Sequence, residues 1–263
     1  MIRLSRVLLS AALCAAAPFA LPSAADTEIH VPHRVNAQLE SSLDLLESLA
    51  KDGDSGAQLT LGQYLSDTAK TDADFEQARK LLESAAAQGK GEAFTELARM
   101  YLEGRGAAKD EGKAVSLLES AAAKNDPEAL YTIGMMRIEG TVLPKDPESG
   151  IRKLERAGKL GYDDAFLALG RIYEEGKVTG KDPEKAFASY LSASYGEHRE
   201  APYRLGLLYI TGTGTGKDVE TGCACLEDAL EHGNPLAGKA LEKYCSGADA
   251  GMAAPGKPGK AGR

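Results

Sequence analysis

The sequence predicts an all-α protein, a solenoid of stacked helix pairs. Three observations predict it. A unit recurs every 36 residues from about residue 57 to residue 236 with no gap. Each unit carries apolar residues at the three-to-four spacing of a helix face. Each is punctuated by a glycine and an aspartate at fixed phase. A period of this size marks repeats that pack only on their neighbours.

The stretch Ala93 to Glu128 shows the unit best. Leu97, Ala98 and Tyr101 lie on one face of a first helix. Gly104 and Gly106 end it, because glycine adopts positive φ without steric cost. Asp110 suits the N-cap of a second helix, whose stripe is Ala114, Leu117, Leu118, Ala121 and Ala122. Asn125 and Pro127 stop it. The first-helix corner recurs as Ala57–Leu61–Gly62, Ala129–Ile133–Gly134, Ala165–Leu169–Gly170 and Ala201–Leu205–Gly206. Gly140, Gly176 and Gly212 repeat the turn glycine; Asp74, Asp146, Asp182 and Asp218 repeat the aspartate.

In chain order, residues 1–25 read as a secretory signal. Arg3 and Arg6 precede an apolar core from Val7 to Ala17, too short to span a bilayer. Small residues at Ser23 and Ala25 place the cut between Ala25 and Asp26, predicting a periplasmic or secreted protein. Leu13 before Cys14 fits a lipoprotein site poorly. Losing a leader with two basic and no acidic residues takes the formal charge from −8 to −10. Residues 26–36 read as an extended lead-in; His30 and His33 lack the further ligands a metal site needs. Residues 37–56 are expected to be an N-terminal capping helix with Leu43, Leu45, Leu46 and Leu49. Five repeats follow over 57–236, then a C-terminal capping helix over 237–246. The Gly/Ala/Pro/Lys-rich tail, 247–263, is expected to be disordered.

Two motifs resemble enzyme signatures and fail on context. Ser48–Lys51 matches S-x-x-K, without the accompanying S-D-N or K-T-G. Gly212 to Lys217 resembles a phosphate loop but follows a helix, and Asp218 occupies the place of the Mg²⁺-binding hydroxyl. No catalytic set, metal set or cofactor is expected, and the acidic balance argues against nucleic acid.

The pattern A-x-x-x-L-G-x-x-Y-x-x-G-x-G-x-x-x-D resembles the Sel1-like repeat family, a relative of the tetratricopeptide repeat. Tyr101, Gly104, Gly106, Asp110 and Ala114 carry the resemblance, as do Tyr173, Gly176, Asp182 and Ala186. Thr68 and Lys70 depart from it at the first turn, and Arg137 replaces the third tyrosine. The resemblance implies an α-solenoid of about five helix-turn-helix repeats, a right-handed superhelix, serving as an exported protein-binding scaffold. The alternative is an envelope regulator or enzyme acting on peptidoglycan or on a cell-wall enzyme.

Tetratricopeptide geometry then implies the groove positions. They are Glu92, Thr95, Arg99 and Glu103; Glu128, Tyr131, Met135 and Glu139; Asp164, Leu167, Arg171 and Glu175; and Glu200, Tyr203, Leu207 and Thr211. Binding is expected to centre on Arg99, Glu103, Tyr131, Met135, Arg171, Glu175, Tyr203 and Leu207. The partner is a protein or peptide, with the arginines meeting its carboxylates. No stable membrane insertion follows signal cleavage, and the oligomeric state is open.

Cys223, Cys225 and Cys245 remain after the leader. Cys223 and Cys245 stand at similar heights either side of the turn near Gly233–Pro235. Cys225 points roughly 200° away at about 100° per residue. A Cys223–Cys245 disulfide is expected; the alternative is three packed thiols.

Overall fold

The computed structural model describes residues 33–196 and 198–246. The leader, its cleavage site, His30 and the tail beyond 246 lie outside the described residues. Among the described residues there are twelve helices and no strand: α1 His33–Lys51, α2 Ser55–Thr68, α3 Asp72–Ala87, α4 Gly91–Glu103, α5 Glu111–Ala123, α6 Pro127–Glu139, α7 Pro147–Lys159, α8 Asp163–Glu175, α9 Pro183–Ser194, α10 Ala201–Thr211, α11 Val219–Glu231 and α12 Ala237–Tyr244. The chain divides into units 1–44 and 45–263. Of the first, the opening of α1 is described; the second holds the repeats.

Helix α1 begins at His33, inside the stretch expected to be extended. The sequence after Pro32 holds no proline or glycine before Gly53, so a helix can run unbroken from there. First helices α2, α4, α6 and α8 start two residues before the period suggests. At α2 and α6 the reason is a cap. Asp54 accepts from Ala57 N at 2.7 Å, and Asp126 accepts from Ala129 N at 2.7 Å.

Within 45–246 the densest contacts join α2 with α3, α4 with α5, α6 with α7, α8 with α9 and α10 with α11; thinner ones join each pair to the next. The corner glycine makes the close pairing possible. A Cβ on Gly170 would lie 2.5 Å from the Tyr190 ring, and one on Gly62 would lie 2.8 Å from Leu82. Leu82, Leu118, Leu154, Tyr190 and Leu226 occupy this one position of the second helix and are buried. Each therefore fills the space that a small residue of its own first helix leaves open.

The turn glycines Gly104, Gly140, Gly176 and Gly212 all adopt the left-handed conformation, with φ of 71°, 72°, 69° and 73°. Their N–H groups donate to the carbonyls of Met100, Met136, Ile172 and Leu208. Asp110, Asp146, Asp182 and Asp218 then cap the second helices. Asp74 does not. In the first repeat Thr71 is the N-cap, and Asp74 answers from the third helical position in a reciprocal capping box. Without turn glycines the first loop is shorter, so α3 starts three residues early.

Cys223 and Cys245 form a disulfide with Cα atoms 5.9 Å apart, joining α11 to the end of α12; Cys225 is a free, half-buried thiol.

Candidate binding groove

Four first helices, α4, α6, α8 and α10, carry the expected groove rows. Residues four apart on a helix lie on one face. On α6 that row is Tyr131, Met135 and Glu139, and on α8 it is Leu167, Arg171 and Glu175. Tyr131, Met135, Arg171 and Glu175 line a single cavity of about 210 Å³ together with Ala168, Ile172, Lys177 and Val178. The Tyr131 ring stands 5.1 Å from that of Tyr162, tilted by 44°. Burial raises the Tyr131 pKa, with Asp164 and Glu139 adding to the rise and Arg171 opposing it.

The other positions differ. Thr95 and Leu167 are buried and are not groove residues. The Thr95 hydroxyl donates to Asp126 at 3.0 Å, across to the next repeat. Leu167 joins the core. At this phase a short side chain is consumed between repeats, and only a tyrosine extends past the interface. Tyr203 and Leu207 pack on the cluster of Ile210, Leu226 and Ala240, beside Leu241 and Tyr244 of α12. They are half-buried under the C-terminal cap. Tyr203 also borders a second cavity of about 260 Å³ with Glu200, Arg204, Pro235 and Leu236. Arg99 and Glu103 lie one repeat before the Tyr131 cavity.

Neither groove arginine is a free cation. Arg99 pairs with Glu96 and, at 3.5 Å, with Asp67. Burial raises the Glu96 pKa, and the Arg99 charge only partly opposes it. Arg171 holds Glu200 with two guanidinium nitrogens, Nε at 3.2 Å from Oε1. Both expected partner-binding arginines thus already hold carboxylates of their own chain.

The pattern described as Sel1 repeat matches residues 55–90, 92–126, 127–162, 165–196 and 199–234. The chain belongs to the Sel1 repeat family. It is similar to a Sel1 repeat protein from Oxalobacter formigenes, with a TM-score of 0.70 and 32% identity, covering 78% of this chain and 59% of that one. It is similar in fold to a protective antigen present in uropathogenic Escherichia coli strains, with a TM-score of 0.63 and 20% identity, covering 80% of this chain and 53% of that one. A Sel1 repeat protein from Klebsiella pneumoniae subsp. pneumoniae shares the fold at a TM-score of 0.51 and 21% identity, covering 77% and 98%. The chain thus spans less than two thirds of the first two proteins. Among curated proteins none matches.

One feature of these Sel1 repeats escapes the repeat pattern. Tyr190 stands where four other repeats bury leucine, and its hydroxyl needs a partner. It donates to Glu174 at 2.6 Å. Glu174 meets Arg204 at 3.6 Å, Arg204 meets Glu200 at 3.5 Å, and Glu200 meets Arg171. Burial first, then the Glu174 bond, pushes the Tyr190 pKa far up, so it stays a phenol. For Arg204 burial disfavours the charge, but Glu174, Tyr190 and Glu200 outweigh it and raise its pKa. The visible signal was the tyrosine at a leucine phase; the partners, on neighbouring helices, carried none.

The groove rows are acidic at both ends. Glu92, Glu128, Asp164 and Glu200 lie at first-helix starts, and Glu103, Glu139 and Glu175 at the ends. Among the described residues no group of three or more His, Cys, Asp or Glu side chains is placed to hold a metal. No described helix is long and apolar enough to cross a membrane.

Proposed function

We propose that this Sel1 repeat protein is an exported, non-enzymatic scaffold that binds a protein or peptide along the face of α4, α6, α8 and α10. One observation carries the reading: Tyr131, Met135, Arg171 and Glu175, from two successive repeats, border one open cavity. A half-buried tyrosine, a methionine and an arginine are the side chains that dominate binding interfaces. The Tyr190–Glu174–Arg204 network joins α8, α9 and α10, which lessens what a partner must order on binding. Export rests on the sequence of residues 1–25.

Site-specific photo-cross-linking tests the face. A benzophenone amino acid at Met135 should trap a discrete partner in envelope extract, and one at the exposed Glu119 of α5 should not. Equal trapping at both positions would remove the assignment. Fractionation of cells producing the full chain tests export: recovery in the cytoplasm alone would refute it.

A further inference from the structure

We propose that the face around Tyr131 takes a basic peptide segment: one large apolar side chain in the cavity, with a lysine or arginine over Glu139 at the end of α6. This rests on the proposed binding face and adds the chemistry of the partner.

The cavity supplies the apolar part. Met135, Ala168, Ile172 and Val178 give it an aliphatic wall that is only half-buried among the described residues. Burying one aliphatic side chain there would remove apolar surface from water on both sides.

The charge comes from the rim. Its two cations are committed: Arg171 to Glu200, and Lys177 to Glu175 at 2.9 Å. Two further carboxylates act on Tyr131 from nearby. Asp164 faces His198 at 3.3 Å. Glu139 has no ion-pair partner among the described residues. It is exposed, at the last position of α6. A carboxylate at a helix C-terminus meets the negative end of the helix dipole and is destabilising. The neighbouring repeats compensate the same glutamate two residues on. Arg105 pairs with Glu103 at 2.9 Å, and Lys177 pairs with Glu175. The third repeat has Thr141 at that position. No described residue pairs with Glu139, and the cavity on the same row of α6 makes an external cation its natural complement.

A random twelve-residue phage-displayed library, selected on the immobilised full chain at low salt, supplies the probe. The expected enriched peptides combine lysine or arginine with one large apolar residue. A selected peptide, made synthetically and labelled, is then measured by fluorescence anisotropy. Glu139→Gln should weaken it about three- to fivefold, while Tm stays level or rises because the helix end loses a repulsion. Met135→Ala should weaken it as well, and added salt should weaken it on wild type. Enriched peptides that are acidic or uncharged, or no enrichment at all, would overturn the basic class. If acidic or uncharged peptides still lose affinity with Met135→Ala, the binding face survives without it. Selected peptides that bind both variants as tightly as wild type would overturn face and class together.

Discussion

Glu96 sits on the groove face with only 13% of its side chain exposed, beside Arg99. Burial is the largest influence on it and raises its pKa above the ordinary 4.5. Relative to the unfolded chain, folding therefore favours the protonated form of Glu96. Its contribution to stability is fully present below that ordinary value and is lost as pH rises through the raised one. Glu96→Gln imitates the protonated form at every pH. The stability of the variant relative to wild type should consequently increase between pH 4 and pH 7, as read from paired thermal melts. A difference that stays flat over this range would show that Arg99 already offsets the burial. The same residue-scale accounting separates Asp126 from the other caps. It serves α6 and the Thr95 hydroxyl at once, tying two repeats through one carboxylate.

At the scale of the element, the turn between paired helices is the part most legible in the sequence. Four glycines at fixed phase require positive φ, and all four have it. The periodic stripes likewise locate every first and second helix from α2 to α11, because burial of a 3.6-residue face repeats with the chain. What the stripes could not reveal is what crosses between repeats. Thr95 to Asp126 and Arg171 to Glu200 are separated by 31 and 29 residues. The phases recur, since Tyr131 meets Tyr162 one repeat after Thr95 meets Asp126, but the residue types do not, so the pattern shows no common pair. The Thr71–Asp74 capping box displaced α3 for the opposite reason: a local motif outcompeted the periodic one. Gly176 tests the turn directly. At φ 69°, a Cβ would lie 2.5 Å from the Lys181 amide nitrogen. Gly176→Val should cost on the order of 1–3 kcal/mol through backbone strain and crowding. An unchanged chemical-denaturation midpoint would mean the loop relaxes freely.

For the molecule as a whole, a solenoid whose repeats meet only their neighbours should tolerate losing one complete period. Deleting residues 129–164 joins Glu128 to Ala165, and the register of the pattern survives. Asp126 remains to cap the new first helix, and Thr95 keeps its hydrogen bond to it. The new junction sets Ala122 opposite Phe166, in place of Gly158, against whose missing Cβ the Phe166 ring now packs. An alanine at this phase is already compatible with a phenylalanine, since Phe94 packs on the cluster that includes Ala86. The shortened chain should retain its helicity per residue by circular dichroism and melt cooperatively at a lower temperature, having lost one repeat's interfaces. It should also lose the selected peptide, because Tyr131, Met135 and Glu139 leave with the repeat. A deletion of residues 129–158 removes less chain but breaks the period, so it should unfold. If the two deletions behave alike, phase is not what holds the repeats together, and the 36-residue period loses its structural meaning.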